Sequence, residues 1–345
     1  MTITRNQRIY ISITSLFFLT LACRAATRLI LPDTPTPLPP TAIPATLTPI
    51  PSPTPTIDVG ASCPILTSDI LETAISFEGN SEKNSGDQEY LVSYPVNGDE
   101  LGPPFFEAVP NNLKDERDDT ATHQSIWNYF TRLIPLEVRD FLTGYSIVTD
   151  GSGNVLAAVG QSTDDPEQWI LEVDIVDSTD EYVLTFSLLH EFGHLLTLNS
   201  EQVPPSIPVF DNLDDNNIYR REVSACPNYF PGEGCSNPDS YINVFFNRFW
   251  LDLYTEWQAI DSKKDEDTYY NLLDDFYDTY KDQFLTDYAP TSPTEDIAES
   301  WAFFVLSPKP ELTSIANEKI LFFYEYPELV KLRGQILNQL CVEFP

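Results

Sequence analysis

The sequence is poor in basic residues, and this deficit excludes one large class of partners. Lysines and arginines number 19 against 53 aspartates and glutamates in 345 residues, a formal net charge of −34. Such an acidic surface repels phosphate backbones, so nucleic acid is not an expected partner. The simplest role of the charge is solubility outside the cell. Hydrophobic content of 42% and aromatic content of 12% exclude a disordered polymer.

The sequence also lacks an apolar run long enough for a permanent transmembrane helix. Its clearest apolar stretch, about residues 9–22, follows Arg5 and Arg8 and is typical of a secretory signal peptide. The stretch ends in Leu-Ala followed by Cys23, which resembles a bacterial lipoprotein signal in which the cysteine is lipidated. We therefore expect a signal peptide at 1–22 and a lipid anchor at Cys23. An ordinary cleaved signal and a secreted protein are the alternative.

A stalk and one large domain are expected beyond the signal. Residues 33–56 are rich in proline and threonine, a composition that prevents helix and sheet and favours extended polyproline II. We expect 23–56 to hold a domain at 57–345 away from the outer face of the membrane. No internal repeat interrupts that domain, which is expected to carry a helical insertion at about 200–290.

The chain has five cysteines but no CxxC pair, which disfavours a zinc site made of cysteines. If Cys23 is lipidated, an even number remains, and in an oxidising compartment this indicates two disulfides. Of the three pairings that four cysteines allow, we expect Cys226–Cys235, which closes a short loop, and Cys63–Cys341, which joins the two ends of the domain.

Strand patterns precede helical patterns along the domain. A weakly structured region is expected at about 65–115, followed by a helix at about 117–133 and a short helix near Pro135. Three segments then favour a small antiparallel sheet with one solvated edge: GYSIVT, VLAAVG and WILEVDIV, residues 144–149, 155–160 and 169–176. Further helices are predicted at 178–198, 241–258, 266–285, 294–306 and 325–340.

The helix at 178–198 has recognisable ends and one unusual residue. Ser178 or Thr179 can cap its start, and Asn199 suits the left-handed position that ends a helix. Gly193 is a poor helix former, so its presence inside this helix indicates that a neighbouring element approaches closely.

The same helix contains the sequence HEFGH, residues 190–194. His190 and His194 are four residues apart and therefore project from one helix face, where two imidazoles can bind one cation. Glu191 stands beside that face, where it can accept a proton from water activated by the metal. Because the chain has only three histidines, this spacing rarely arises by chance, and we predict a zinc site.

The third zinc ligand is not a histidine of the extended motif HExxHxxGxxH. Ser200 occupies the position of its third histidine and Thr197 that of its glycine, so the metzincin interpretation fails. His123, the remaining histidine, is expected at the surface. A catalytic zinc ion usually takes three protein ligands, so a carboxylate is expected, and the segment TEDIAESW at 294–301 is the best source.

The two segments HEFGHLLTL and YAPTSPTEDIAESWAFFVL together resemble gluzincin-type zinc metallopeptidases, especially bacterial zinc-binding peptidases and the lethal-factor-like group. The resemblance implies that Glu299 is the third ligand of a single zinc ion. Glu295 and Asp296 are the alternatives, and either could instead be an acceptor that holds a histidine ring. The resemblance also implies that Tyr288 donates a hydrogen bond to the oxyanion of the tetrahedral intermediate.

The resemblance further implies an α+β, zincin-like fold with a small antiparallel-rich sheet, the HExxH helix and a mainly helical C-terminal lobe. It implies zinc-dependent hydrolysis of peptide bonds with Glu191 as general base, on peptide or protein substrates outside the cell. The segment WILEVDIV is expected to form the strand at the edge of the cleft. A lipid-anchored surface binding protein without catalysis, retaining the same fold, is the alternative.

Overall fold

A computed structural model of the protein describes residues 64–78, 88–152 and 155–343. The expected signal peptide at 1–22 and the stalk at 23–56 lie outside the described residues. Within the described ranges, no helix combines the length and the apolar character needed to cross a membrane.

Helices dominate the described part of the chain. The α-helices are α1 Pro64–Glu78, α2 Lys114–Asp118, α3 Thr120–Leu133, α4 Glu181–Leu198, α5 Ile207–Phe210, α6 Asn216–Ala225, α7 Tyr241–Phe245, α8 Tyr254–Asp261, α9 Glu266–Thr279, α10 Pro293–Leu306, α11 Ile315–Phe323 and α12 Pro327–Glu343. Helix α7 continues into a π-helical turn, Phe246–Trp250. Short 3-10 turns lie at Asn111–Leu113, Leu136–Val138, Lys281–Gln283 and Ala289–Thr291.

Six described strands form one mixed sheet. They are β1 Glu89–Asn97, β2 Glu100–Leu101, β3 Phe105–Phe106, β4 Leu142–Thr149, β5 Ala157–Gln161 and β6 Trp169–Asp174. The order is β2-β1-β4-β6-β5, with β3 also paired to β1. Only the β4–β6 pair is parallel among these pairings, with Tyr145 opposite Leu171. The α+β class is therefore confirmed, and the sheet is mixed.

The region expected to be weakly structured at about 65–115 contains both α1 and β1, so that expectation was wrong. Strand β1 is difficult to recognise because its pairing with β4 shifts register between Tyr90 and Val92, which disturbs the alternation of buried and exposed side chains. Leu91 and Val92 are consecutive residues, and both are fully buried.

The segment WILEVDIV forms the interior strand β6, and β5 lies beside it at one edge of the sheet. Strand β6 lies between β4 and β5, and its residues Trp169, Leu171 and Val173 are buried. A strand that is buried on both faces is commonly rich in apolar residues. Every residue of β6 except Ile170 is buried, and its segment is more hydrophobic than that of β5. The expectation that this segment forms an edge strand was wrong, because it has a neighbouring strand on each side.

Helix α4 begins and ends differently from expectation. Asp180 caps it, because its carboxylate accepts the backbone N–H groups of Tyr182 and Val183. Asn199 has a φ of −57°, so it does not adopt the left-handed conformation. Its side-chain amide instead donates to the carbonyl of Leu195 at 2.9 Å, which satisfies an acceptor at the helix end.

One hydrophobic core extends from Ile70 in α1 to Leu340 in α12. Most helices of the expected insertion belong to this core, to which Phe245, Trp250 and Phe276 contribute. A separate small cluster of Val209, Tyr219 and Phe230 lies beside the cysteines of the loop that follows α6. The insertion therefore covers the core with its later helices and forms a small cluster of its own with its earlier ones.

The expected disulfide Cys226–Cys235 is confirmed, with the two Cα atoms 5.4 Å apart. It closes the loop at 226–235. Cys341 is also disulfide-bonded, and its expected partner, Cys63, lies outside the described residues.

A buried ion pair fixes the start of helix α10. The Asp296 carboxylate lies 2.6 Å from Lys319 Nζ in α11, and neither side chain is exposed to solvent. The same carboxylate accepts the Trp250 indole N–H at 2.7 Å, and Lys319 also faces the Phe284 ring at 4.1 Å. Burial raises the pKa of Asp296 to about 6 against the lowering effect of Lys319. The pair therefore ties α10 to α11 and to the π-helical turn.

Removing one partner of this pair is expected to destabilise the fold. Lys319→Met leaves the Asp296 carboxylate buried without its cation, so we expect the free energy of unfolding to fall by about 3–5 kcal/mol. Asp296→Asn combined with Lys319→Met should recover much of this loss, because an amide oxygen can still accept the Trp250 N–H. Denaturant unfolding with a chelator present measures both variants.

Lys331→Met is the matched control, because Lys331 is exposed on α12. It should change stability by at most about 0.5 kcal/mol. Equal stability of Lys319→Met and Lys331→Met would contradict the role given to the buried pair.

Candidate metal centre

Helices α4 and α10 cross at a glycine. A Cβ atom at Gly193 would lie 2.9 Å from the Cα of Ala298 and 3.2 Å from its carbonyl oxygen. The close approach expected from this glycine is therefore confirmed. Small residues on both helices allow the backbones to approach, and the side chains one turn away on each helix consequently meet.

Three ligand atoms meet next to this crossing. Nε2 of His190 lies 3.1 Å from Nε2 of His194. One carboxylate oxygen of Glu295, Oε2, lies 3.0 Å from the first and 3.3 Å from the second of these nitrogens. Both histidines are buried, and the Glu295 side chain is 18% exposed.

Glu299, the carboxylate expected to be the third ligand, lies on the Nδ1 side of the His190 ring. Its Oε1 atom lies 3.1 Å from Nδ1 of His190, on the side of the ring opposite Nε2. Its other oxygen accepts the Thr286 hydroxyl at 2.8 Å, and that hydroxyl accepts the backbone N–H of Ala289. Glu299 is fully buried. Glu299 thus contacts Nδ1 of His190, whereas Glu295 contacts the Nε2 atoms of both histidines.

The spacing of the three ligand atoms fits a tetrahedral metal ion. Two atoms bound to one zinc ion at about 2.0–2.1 Å lie about 3.3 Å apart, and the three distances are 3.1, 3.0 and 3.3 Å. When Nδ1 of His190 donates to Glu299, its Nε2 presents a lone pair to the same point as the Glu295 oxygen. Converging lone pairs are the arrangement that binds a cation.

The electrostatics of these side chains agree with this geometry. Burial by itself would lower the pKa of His190, but hydrogen bonds to Glu295 and Glu299 reverse the effect and raise it well above its ordinary value. Burial would raise the pKa of Glu295, whereas the charge and hydrogen bonds of the two histidines hold it well below its usual range. The pocket thus favours a positive charge between these groups.

Glu191 is buried beside the histidines, with its carboxyl group facing strand β5. His190, Glu191 and His194 each offer an atom within 4.8 Å of the others, a separation at which they could hold a metal ion. Burial raises the pKa of Glu191 to about 7 against the lowering effects of His194 and His190, and a hydrogen bond from the Val159 backbone also lowers it. A carboxyl group with a pKa near neutrality can both accept and release a proton.

Tyr288 lies beside His190 in the candidate centre and is partly exposed. Its ring centroid is 6.0 Å from that of His190, and the residue is 39% exposed. It immediately precedes the 3-10 turn Ala289–Thr291. A phenol in this position can reach a molecule bound in the cleft.

Two other residues considered from the sequence lie away from the centre. His123 is not at the surface but fully buried in α3, where its Nδ1 contacts the Tyr94 hydroxyl and its Nε2 contacts the Glu116 carbonyl, both at 2.8 Å. These contacts use both ring nitrogens for the core. Asp296, an alternative third ligand, is committed to Lys319.

A second acidic group, Asp150, Asp174 and Asp177, lies after β4 and β6. Burial raises the pKa of the Asp174 carboxyl group to about 6. Hydrogen bonds that it accepts from the backbone N–H groups of Asp150 and Val176 oppose this rise. These hydrogen bonds stabilise the turns at the strand ends and explain why a carboxylate is there.

Two features of the sequence favour a position for Glu295 near the histidines. Glu295 and Glu299 are four residues apart, as are His190 and His194, so each helix presents a pair of side chains on one face. Ser292 caps α10 and accepts the backbone N–H of Glu295, which places Glu295 in the positively polarised first turn. Thr286, which orients Glu299, had no recognisable signal, because a single threonine in a loop has none.

Comparison with family models, with curated proteins and with solved structures finds no match to this chain. What the fold and the site define is therefore an α+β protein with a buried His-Glu-His group that could hold a metal ion.

Filling the space at Gly193 is expected to separate the two helices. Gly193→Ala places a methyl group against the α10 backbone, so we expect a loss of about 1–3 kcal/mol in stability and weaker zinc binding. Gly334→Ala in α12 is the matched control, because a Cβ atom at this position meets no atom within 4 Å. This substitution should stabilise the helix by up to about 1 kcal/mol. Thermal unfolding and zinc titration measure both, and unchanged zinc affinity in Gly193→Ala would contradict the role of the crossing.

Proposed function

We propose that this protein is a zinc-dependent peptidase whose metal ion is held by His190, His194 and Glu295. The observation that carries the proposal is the triangle of two Nε2 atoms and one carboxylate oxygen, with sides of 3.1, 3.0 and 3.3 Å. A buried carboxylic acid, Glu191, lies beside this triangle. Three protein ligands and an adjacent carboxylate are the arrangement of catalytic, rather than structural, zinc sites.

The chemistry divides between the metal ion and the side chains around it. A bound zinc ion would supply a Lewis acid that makes water more acidic and polarises the carbonyl group under attack. Glu191 accepts a proton from the attacking water and passes it to the leaving amine. Glu299 keeps Nδ1 of His190 protonated and its Nε2 free to bind, and Thr286 holds Glu299 in turn.

The substrate is proposed to be an extended peptide that pairs with strand β5. This strand is the edge of the sheet, and the backbone N–H of Val159 within it already reaches the Glu191 carboxyl. A peptide added to this edge would be held through its backbone next to the general base. Tyr288 is placed to donate a hydrogen bond to the oxygen that becomes negative during the attack.

The location is proposed to be the outer face of the cell membrane, with Cys23 lipidated and 23–56 as a stalk. Support comes from the signal-like N-terminus and from the disulfide Cys226–Cys235, because disulfides persist in oxidising compartments outside the cytosol. A secreted protein with the same domain would share both features but would lack the lipid.

Substitution of a proposed ligand is expected to reduce the zinc content more than substitution of Glu299. We expect elemental analysis to find roughly one zinc ion per full-length wild-type chain. In His190→Ala and in Glu295→Ala the zinc content should fall to background. Glu299→Ala should keep a weakened site, with zinc affinity lower by about 10–100-fold. Full zinc content in Glu295→Ala with none in Glu299→Ala would reverse their roles, and no zinc in the folded wild type would leave a surface binding protein without catalysis.

Glu191 is expected to act in the reaction without being needed to bind the metal. Glu191→Gln should retain zinc and lose about 10²–10⁴-fold in the rate of peptide hydrolysis, measured on an unstructured protein such as casein. Glu201→Gln, an exposed glutamate that follows α4, is the matched control and should keep the wild-type rate. Equal rates of peptide hydrolysis for wild type and Glu191→Gln would contradict the proposed mechanism.

A further inference from the structure

The second zinc-binding histidine lacks the support that the first one has. His190 donates through Nδ1 to Glu299, whereas Nδ1 of His194 is buried and has no hydrogen-bond partner among the described residues. A histidine that binds a metal through Nε2 carries its proton on Nδ1, and that N–H almost always finds an acceptor. A buried N–H without an acceptor destabilises the site.

A buried acceptor without a donor lies in the same region. The Oε2 atom of Glu233 is buried and has no hydrogen-bond partner within the described part of the chain, although the residue as a whole is partly exposed. Burial raises the pKa of Glu233, and its own backbone N–H and the charge of His194 oppose that rise. Glu233 is therefore near enough to His194 for the two side chains to interact electrostatically.

The backbone around Glu233 is held against the segment that follows α4. The Glu233 carbonyl accepts the backbone N–H of Ser206 at 2.7 Å, and Gly234 pairs with Pro205. A Cβ atom at Gly234 would lie only 2.0 Å from the Pro204 carbonyl oxygen, so the two segments can approach only because this residue is glycine. The adjacent disulfide Cys226–Cys235 closes the loop.

We propose that Glu233 is the positioning residue of His194, accepting its Nδ1–H when the metal ion is bound, as Glu299 does for His190. The inference rests on the proposed metal centre and adds a partner to it. Both atoms are buried and lack a hydrogen-bond partner among the described residues, and the backbone that carries Glu233 is fixed against the segment that follows α4. The disulfide loop thereby becomes part of the metal centre.

The proposal explains why a glutamate stands in this loop. A carboxylate with one buried oxygen is costly unless it meets a donor or a positive charge. A zinc ion bound to His194 makes the ring N–H a stronger donor, and the pairing removes two buried unpaired groups at once.

The test compares zinc affinity with apo stability in the full-length chain. Glu233→Leu removes the acceptor and keeps a similar volume, so zinc affinity, measured by competition with a chelator, should fall by about 10–100-fold. Glu233→Gln keeps an oxygen acceptor and should retain most of the affinity. The melting temperature of the zinc-free Glu233→Leu protein should be no lower than that of the wild type, because the change removes a buried carboxylate oxygen that has no partner among the described residues.

Glu201→Leu is the matched control for loss of one negative charge near α4 and should bind zinc like the wild type. Bound Co²⁺ provides a geometric readout, since its visible spectrum should change in Glu233→Leu and not in Glu201→Leu. Wild-type zinc affinity in Glu233→Leu would overturn this inference alone. Equal losses of affinity and apo stability in Glu233→Leu and Glu233→Gln would also overturn it, by showing a structural role. Absence of zinc binding in both wild type and His190→Ala would overturn the proposed function as well.

Discussion

The candidate site depends on the contact between Gly193 and Ala298. Two helices that are distant in sequence approach there until a single methyl group on the glycine would collide with the opposite backbone. Because side chains four residues apart share a helix face, this one contact places the pair His190 and His194 against the pair Glu295 and Glu299. Without the close approach, Glu295 would not reach the two Nε2 atoms and Glu299 would not reach Nδ1 of His190.

Helix α10 directs its three acidic residues to different partners. Glu295 reaches both Nε2 atoms, Glu299 reaches the far side of the His190 ring, and Asp296 turns away to the buried Lys319. Neighbouring residues on a helix point about 100° apart, so the Asp296 pair fixes the rotation of α10 and hence the direction of Glu295. A buried ion pair contributes little net stability, and orienting this helix is a role that explains its presence.

The edge strand and the disulfide loop complete the surroundings of the centre from two other parts of the chain. Strand β5 brings a backbone N–H to Glu191, and the loop at 226–235 brings Glu233 near His194. In the proposed centre, Val159 would act through Glu191 and Glu233 would act through His194, and neither would touch the metal ion. The proposed reactivity therefore requires the sheet, the two crossing helices and the loop to be assembled together.

The sequence by itself determined the residues whose roles depend on local spacing: the histidine pair, Glu191, the close approach at Gly193 and the disulfide of a short loop. These are properties of one helix or one turn, and local periodicity is enough to predict them. Only the tertiary structure showed that Glu295 contacts both Nε2 atoms while Glu299 contacts Nδ1 of His190. It also placed β6 inside the sheet and β5 at an edge, and it buried His123 against Tyr94. Each of these depends on which face of an element meets a distant partner, and the spacing of residues along the chain carries no information about that.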